Sequence, residues 1–359
     1  MRKNFVIFFL VFLLIYISLN AYVILRLGGL LKITKNISYL PIALLTFSLP
    51  VAIYAENNYP TTLSRILYTA SALWMGILLF TFSLLLLYEA ISPFVTIPHA
   101  GIILVITVCA LSILSIVNAT QLSVKEIEVP IKHLKKDTTI VQLSDLHIGT
   151  IRNSDFLKKI VKKINQLDPD MILITGDMID TSTRLPTTIF SVFNTVRAPI
   201  YYVTGNHEVY DGKNAIYALL HTTKIKALKN EIVEFEDIQI IGIEFSEDKS
   251  HLARELKKMN LDRTKPAVLM YHTPHGMEDA KKAGIDLQLA GHTHFGQIVP
   301  FNFLVRLAFK HVKGLYDLES MFLHVSPGTG TWGPYMRLGS KNEISLLKLK
   351  TKTLSKIPQ

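Results

Sequence analysis

Along the first 120 positions apolar residues come in long runs, and beyond residue 138 they come in short ones. Four long runs stand first: residues 5–25, 38–55, 66–91 and 99–119. A helix needs roughly 20 apolar residues to cross a bilayer core of about 30 Å, so this pattern predicts about four transmembrane helices. The second run is shorter and carries Pro41 and Pro50, which membrane helices tolerate. The first run follows Arg2 and Lys3 as a signal peptide would, but its length and the lack of a small-x-small cleavage site favour a retained helix. Later runs such as TIVQLS, MILITG, IYYVTG, IQIIGIEF, AVLMYH and LQLAG read as buried strands. SDFLKKIVKKINQLD places apolar residues at helical spacing, with Ser154 or Asp155 as its cap. Strands alternating with helices predict a layered α/β domain. The organisation expected is a membrane part over residues 1–120, a polar linker over 121–137 and a soluble domain over 138–359.

Charge follows the same division. Of 38 Lys and Arg residues, only Arg2, Lys3, Arg26, Lys32, Lys35 and Arg65 lie in the first 120 positions; of 28 acids, only Glu56 and Glu89 do. Arg2, Lys3, Arg65, Lys125, Lys132, Lys135 and Lys136 fall on one side of a four-span arrangement, and Arg26, Lys32 and Lys35 on the other. The basic excess puts both termini and the soluble domain in the cytoplasm of a cell-membrane protein; a three-span arrangement would reverse this. The net charge of +10 suits a phosphate-bearing or membrane partner. No Arg-rich helix, zinc-finger spacing or basic tail points to nucleic acid. The lone Cys109 excludes an intramolecular disulfide and a thiolate metal site.

Five of the short runs end in polar clusters: Asp145-Leu-His147, Gly176-Asp177-Met-Ile-Asp180, Gly205-Asn206-His207-Glu208, His272-Thr-Pro274 and Gly291-His292-Thr-His294. Ligands in open α/β sheets bind beyond the carboxyl ends of the strands, so five such ends would build one site. Nitrogen and oxygen donors without thiolate suit Mn, Fe or Zn better than Mg. In extended backbone residues i and i+2 share a side, which would let Asp-x-His and His-x-His each present two ligands. Glycines 176, 205 and 291 permit close turns. Taken singly each cluster also reads as an ordinary turn or cap, and His275 rivals His272. His133, His221, His251, His311 and His324 fit no cluster and default to surface or core positions.

The ordered set resembles the calcineurin-like metallophosphoesterase superfamily over about residues 138–350. Within it the chain looks like the membrane-associated branch that includes transmembrane metallophosphoesterase-domain proteins, some of which act as UDP-2,3-diacylglucosamine pyrophosphatases. That resemblance implies a β-sandwich flanked by helices and two divalent metal ions. It implies Asp145, His147 and His294 at one site, Asn206, His272 and His292 at the other, and Asp177 bridging them. His207 would meet the substrate, stabilising the transition state or protonating the leaving oxygen, and Glu208 would orient its imidazole. Asp180 would organise the Gly-Asp turn. The activity implied is metal-dependent hydrolysis of a phosphodiester or pyrophosphate by direct attack of water on phosphorus.

The segment FNFLVRLAFKHVK after the histidine pair reads either as a basic amphipathic helix at a membrane interface or as a helix packed on the core. An interfacial helix would suit an amphiphilic or lipid-linked phosphate ester. Two other functions compete with the enzyme. A transporter would carry ionisable groups within its spans, where this chain has only Glu89 near a helix end. A scaffold with a vestigial site would lack ligands, and none is lacking here.

Overall fold

Each of the four long apolar runs forms a helix: α1 (Arg2–Leu30), α2 (Tyr39–Asn58), α3 (Thr62–Ile91) and α4 (Ala100–Thr120). The computed structural model describes residues 2–33, 39–180 and 185–351, with backbone alone for 2–9. Lys35, Ser38 and residues 352–359, used in the sequence reading, lie outside the described residues. Two compact units are present, one holding the N-terminal helices up to Ala119 with Gly333–Leu338, the other holding Thr120–Trp332 and Gly339 onward.

In the first unit all four helices are long and apolar enough to cross a membrane. Tyr16 and Val23 of α1, Leu78 and Leu85 of α3, and Leu104 of α4 form its interior, while Leu14, Leu44, Leu63 and Ile113 face outward. Outward leucines are what a lipid environment favours. Some polar groups inside are paired: Asn20 donates to the Tyr16 carbonyl and accepts from Trp74 Nε1, and Arg26 meets Glu89. Glu56 likewise lies near Arg65, with Oε1 3.7 Å from its Nε.

Among the described residues the second unit holds twelve strands. They are β1 (Leu122–Ile131), β2 (Thr138–Leu143), β3 (Met171–Thr175), β4 (Ile200–Val203), β5 (Ile225–Ala227) and β6 (Glu231–Phe235), then β7 (Ile238–Gly242), β8 (Ala267–Met270), β9 (Leu287–Ala290), β10 (Gly314–Asp317), β11 (Phe322–Val325) and β12 (Asn342–Thr351). They form two six-stranded sheets, β1-β12-β2-β3-β4-β5 and β10-β11-β9-β8-β7-β6. The sheets pack face to face through Ile140, Met171, Leu173 and Val203 against Ile240, Val268, Met270 and Leu289. Helix α5 (Ser154–Leu167), through Leu157, Ile160 and Ile164, and helix α7 (Lys213–Leu220), through Ile216 and Leu220, cover the outer face of the first sheet. Helices α8 (His251–Lys258) and α9 (Met277–Ala283) cover the second through Leu252, Leu256 and Ala280. Strands β2 to β5 run parallel, as do β7, β8 and β9. Parallel strands buried on both faces need continuous apolar sequence, which is why these runs lack polar alternation.

Two expectations need correction. Residues 122–131, read as linker, are an edge strand pairing with β12 from Leu122↔Asn342 to Ile131↔Thr351. Val129 and Ile131 are buried while Glu126 and Glu128 keep the other face wet, so half of the strand looked like linker. Pro130, with no N–H to donate, is tolerated because the strand is an edge. The cap of α5 is Asn153, whose side chain accepts from the Asp155 N–H at 3.0 Å, in place of Ser154 or Asp155.

Candidate metal centre

Strands β2, β3, β4, β8 and β9 end at one rim of the sandwich, and each hands over at least one polar side chain within four residues. Asp145 and His147 follow β2, Asp177 follows β3, and Asn206 opens helix α6 (Asn206–Asp211) after β4. His272 follows β8, and His292 and His294 follow β9. The extended-chain argument for the i, i+2 pairs does not hold. Asp145, His147, Asp177, His292 and His294 all have positive φ, between 46° and 71°. Asp and His are among the non-glycine residues enriched there, at a cost of order 1 kcal/mol each that the surrounding structure must offset. The offset is visible as backbone pairing: Asp145 N–H to the Gly176 carbonyl, His147 N–H to the Asp177 carbonyl, and Gly291 N–H to the His272 carbonyl. Turns, rather than pleats, aim these ligands.

Close approach at the rim requires glycine at two places. Gly176 has φ 96°, and a Cβ on it would sit 2.5 Å from His272 Nδ1. A Cβ on Gly205 would sit 2.1 Å from Asp177 Oδ1.

The side chains converge in two adjoining groups, Asp145–His147–His294 and Asp177–His272–His292. In the first, His147 Nε2 and His294 Nε2 are 3.0 Å apart and His294 Nε2 is 3.4 Å from Asp145 Oδ1. In the second, His272 Nε2 lies 3.2 Å from Asp177 Oδ2 and 3.3 Å from His292 Nδ1. Asn206 Oδ1 sits 3.0 Å from that His272 nitrogen and 2.8 Å from His292 Nδ1. Asp177 Oδ2 also lies 3.8 Å from His147 Nε2, so one carboxylate reaches both groups. His272 is the histidine of the site; His275 packs instead against Phe309. His272 Nδ1 donates to the Thr175 carbonyl at 2.8 Å, which turns its Nε2 inward.

Electrostatics set this cluster apart from an ordinary polar core. Burial, with the Asp177 charge adding to it, raises Asp145 to about 6. Burial lowers His147 to about 4 and His292 to about 3, and neighbouring histidines push the same way. Burial would lower His272 too, but the Asp177 carboxylate outweighs it and holds the imidazole at about 9. Asp177 stays well below the usual carboxylate range: burial opposes its charge, and His272 overcomes that. His147 and His292 are thereby held neutral, which leaves a lone pair on each ring for a cation. The donor set fits a cation on geometry as well, because two nitrogens each about 2.1 Å from one metal stand roughly 3.0–3.4 Å apart.

Around the ligands the sequence reading needs one change and one addition. Glu208, expected beside the His207 imidazole, points the other way. Its carboxylate accepts from the N–H groups of Gly205 and Met178 at 2.7 Å, Asp177 at 3.1 Å and Ile179 at 3.2 Å. The residue occupies the first turn of α6, and its side chain reaches back to the turn. Beside His207 stands Asp180, with Oδ1 3.4 Å from Nδ1. With His147 these two form a third group of converging atoms, a role for which the Gly-Asp-x-x-Asp spacing was the only signal. Burial disfavours charge on His207, but Asp180 and Asp177 outweigh it and raise its pKa. Trp332, in the segment SPGTGTWGPYMRLGSKNEISLLKL that the resemblance also covers, lies 6.2 Å from the His207 ring.

Comparison with known proteins agrees with this geometry. The family model described as calcineurin-like phosphoesterase matches residues 138–296. A metallophosphoesterase of Campylobacter jejuni is 40% identical over 247 residues, covering 66% of each chain. A Bos taurus transmembrane protein with metallophosphoesterase domain is 32% identical over 274 residues, 68% of this chain and 61% of that one. The chain thus spans just under two thirds of the length of these two relatives. A metallophosphoesterase of Aquifex aeolicus is 30% identical over 243 residues, 64% of this chain and 93% of that one. With a family model matching residues 138–296 and a 30% identical relative covered over 93% of its length, the chain belongs to the calcineurin-like metallophosphoesterases.

Proposed function

We propose that this protein is a membrane-anchored two-metal phosphoesterase that hydrolyses a phosphodiester or pyrophosphate bond of an amphiphilic substrate. UDP-2,3-diacylglucosamine is one such compound. The single observation that carries the reading is the convergence of Asp145, His147 and His294 beside Asp177, His272 and His292, with Asn206 between the last two. The first trio would hold one divalent ion, the second with Asn206 another, and Asp177 would bridge them. Nitrogen-rich ligation favours Mn, Fe or Zn. Two such ions, when bound, supply Lewis-acid charge on a phosphoryl oxygen and a water acidic enough to attack phosphorus near neutral pH.

The chain's own residues do the rest. His207, held by Asp180 and raised in pKa, faces the same space and would donate a hydrogen bond or proton to a substrate oxygen. Its backbone N–H donates to Asp177 Oδ1 at 3.0 Å, tying the imidazole's position to the bridging carboxylate. Glu208 gathers four N–H groups and so fixes the turn that carries Asp177. In this reading residues 1–120 anchor the enzyme and the domain from 138 onward lies in the cytoplasm, supported by the basic bias of the connecting segments.

The test compares hydrolysis of bis-p-nitrophenyl phosphate and UDP-2,3-diacylglucosamine by the full chain with Mn²⁺, Zn²⁺ or Mg²⁺. The expected result is turnover of both, lost by at least about 10³-fold in Asp177→Ala and His292→Ala, the scale of removing transition-state charge stabilisation. Turnover of the artificial diester alone would sink the glycolipid substrate. No turnover with any metal would sink the enzyme.

A further inference from the structure

We propose that helix α10 (Phe301–Ala308) and Trp332 form a surface that docks into anionic lipid at the mouth of the metal centre. Of the eight residues in α10 only Asn302 is buried; it packs against Gly296, just past His294. Phe301, Phe303, Leu304 and Leu307 are exposed, Leu307 to 84%. The alternative of a helix packed on the core is therefore excluded. Burying each such side chain is worth roughly 1.5–3 kcal/mol, so leaving four in water forgoes a large stabilisation. A contiguous patch of this kind marks a surface that meets something apolar.

Its position and charge say what. Phe309, directly after α10, brings its ring 5.5 Å from His292, and Trp332 brings its ring 6.2 Å from His207. Gln297 holds Trp332 through both its N–H and its carbonyl, each at 3.0 Å, so this half-exposed indole is fixed at the rim. Residues 301–313 contain Arg306, Lys310 and Lys313 and no acid. Arg306 and Lys313 lie over the Phe295 ring at 5.3 and 5.4 Å. Apolar tips among cations match the boundary between acyl chains and anionic headgroups. They do not match a second copy of the same face, which would set cation against cation. The four apolar helices of the same chain keep a bilayer permanently within reach, so even weak interfacial affinity suffices.

The consequence rests on the phosphoesterase reading: a substrate whose acyl chains stay in the bilayer would offer its phosphate at the rim where α10 enters. The test uses the full chain in nanodiscs of phosphatidylcholine and phosphatidylglycerol. In a Cys109→Ser background a nitroxide is placed at Leu307→Cys and, as control, at Lys258→Cys on α8. Power saturation should find the Leu307 label relaxed by oxygen and shielded from a water-soluble nickel chelate, with the Lys258 label opposite. Equal access of the chelate to both sites would overturn the proposal. So would dipolar broadening at Leu307 in discs holding two chains, which would mean self-association. The variant Phe303→Asp/Leu307→Asp should keep bis-p-nitrophenyl phosphate hydrolysis within twofold while a bilayer-borne phosphodiester is cleaved at least tenfold more slowly. Equal loss on both substrates would also overturn it. A wild-type chain inactive on both would defeat the phosphoesterase reading alone, since label depth still reports the docking.

Discussion

Two buried residues show how a side chain's work follows from where it points rather than from its neighbours in sequence. Glu208 is fully buried, and its pKa is raised to about 7 by burial with the Asp177 charge adding to it. Replacing it by Ala strands four donors, and we expect a stability loss of about 3 kcal/mol by urea titration, with Glu208→Gln intermediate. A loss below about 0.5 kcal/mol would contradict its role as a turn clamp. His324, on β11, is buried against Gln142 Oε1 at 2.6 Å, and burial lowers its pKa from 6.5 to about 3. The unfolded chain binds a proton below about 6.5 and the folded chain does not, so stability is lost as pH falls from there towards 3. Replacing His324 with Leu should flatten that acid decline while costing about 1–3 kcal/mol at neutral pH, because Gln142 loses its partner. An imidazole that titrates near 6.5 by NMR would refute the premise. Residue types were legible in the sequence, since metal ligands come from a short chemical menu. Left-handed turn conformations and the direction of Glu208 were not, because both are imposed by hydrogen bonds from distant strands.

At the scale of elements, the six runs read as strands are those buried on both faces, and all six are strands. Of those passed over, β5 and β11 are short, β1, β6 and β10 close the ends of their sheets, and β12 is a ten-residue inner strand that carries Lys348 and Lys350. Such strands alternate or carry charge, and their pairing partners lie far off in sequence, β12 joining β1 across more than 200 residues. If β1 is integral to the sheet, Ile131→Ala should cost about 2–4 kcal/mol by denaturant midpoint, and Glu128→Ala within about 0.5 kcal/mol. Indifference to both changes would return residues 122–131 to the status of a linker. Helix α10 was seen in the sequence as amphipathic, yet its exposure on nearly all sides was not, because periodicity shows a stripe and not what covers it.

At the scale of the molecule, the two textures of the sequence correspond to two physical environments. Leucines face outward on α1 to α4, where lipid would meet them, and inward in the sandwich, where sheets meet each other. The basic bias leads us to expect the domain in the cytoplasm. In intact cells an impermeant maleimide should label Lys32→Cys and reach Lys258→Cys only after permeabilisation, both in a Cys109→Ser background. Labelling of Lys258→Cys in intact cells would reverse the orientation. The central claim is that seven side chains from five strand ends hold two metal ions. Metal content of the purified full chain, measured by mass spectrometry after equilibration with Mn²⁺, Fe²⁺ or Zn²⁺, tests it most directly. The account predicts two ions per chain, and one or none in Asp177→Ala and His292→Ala. A wild-type chain that retains no metal, or variants that retain the full complement, would contradict it.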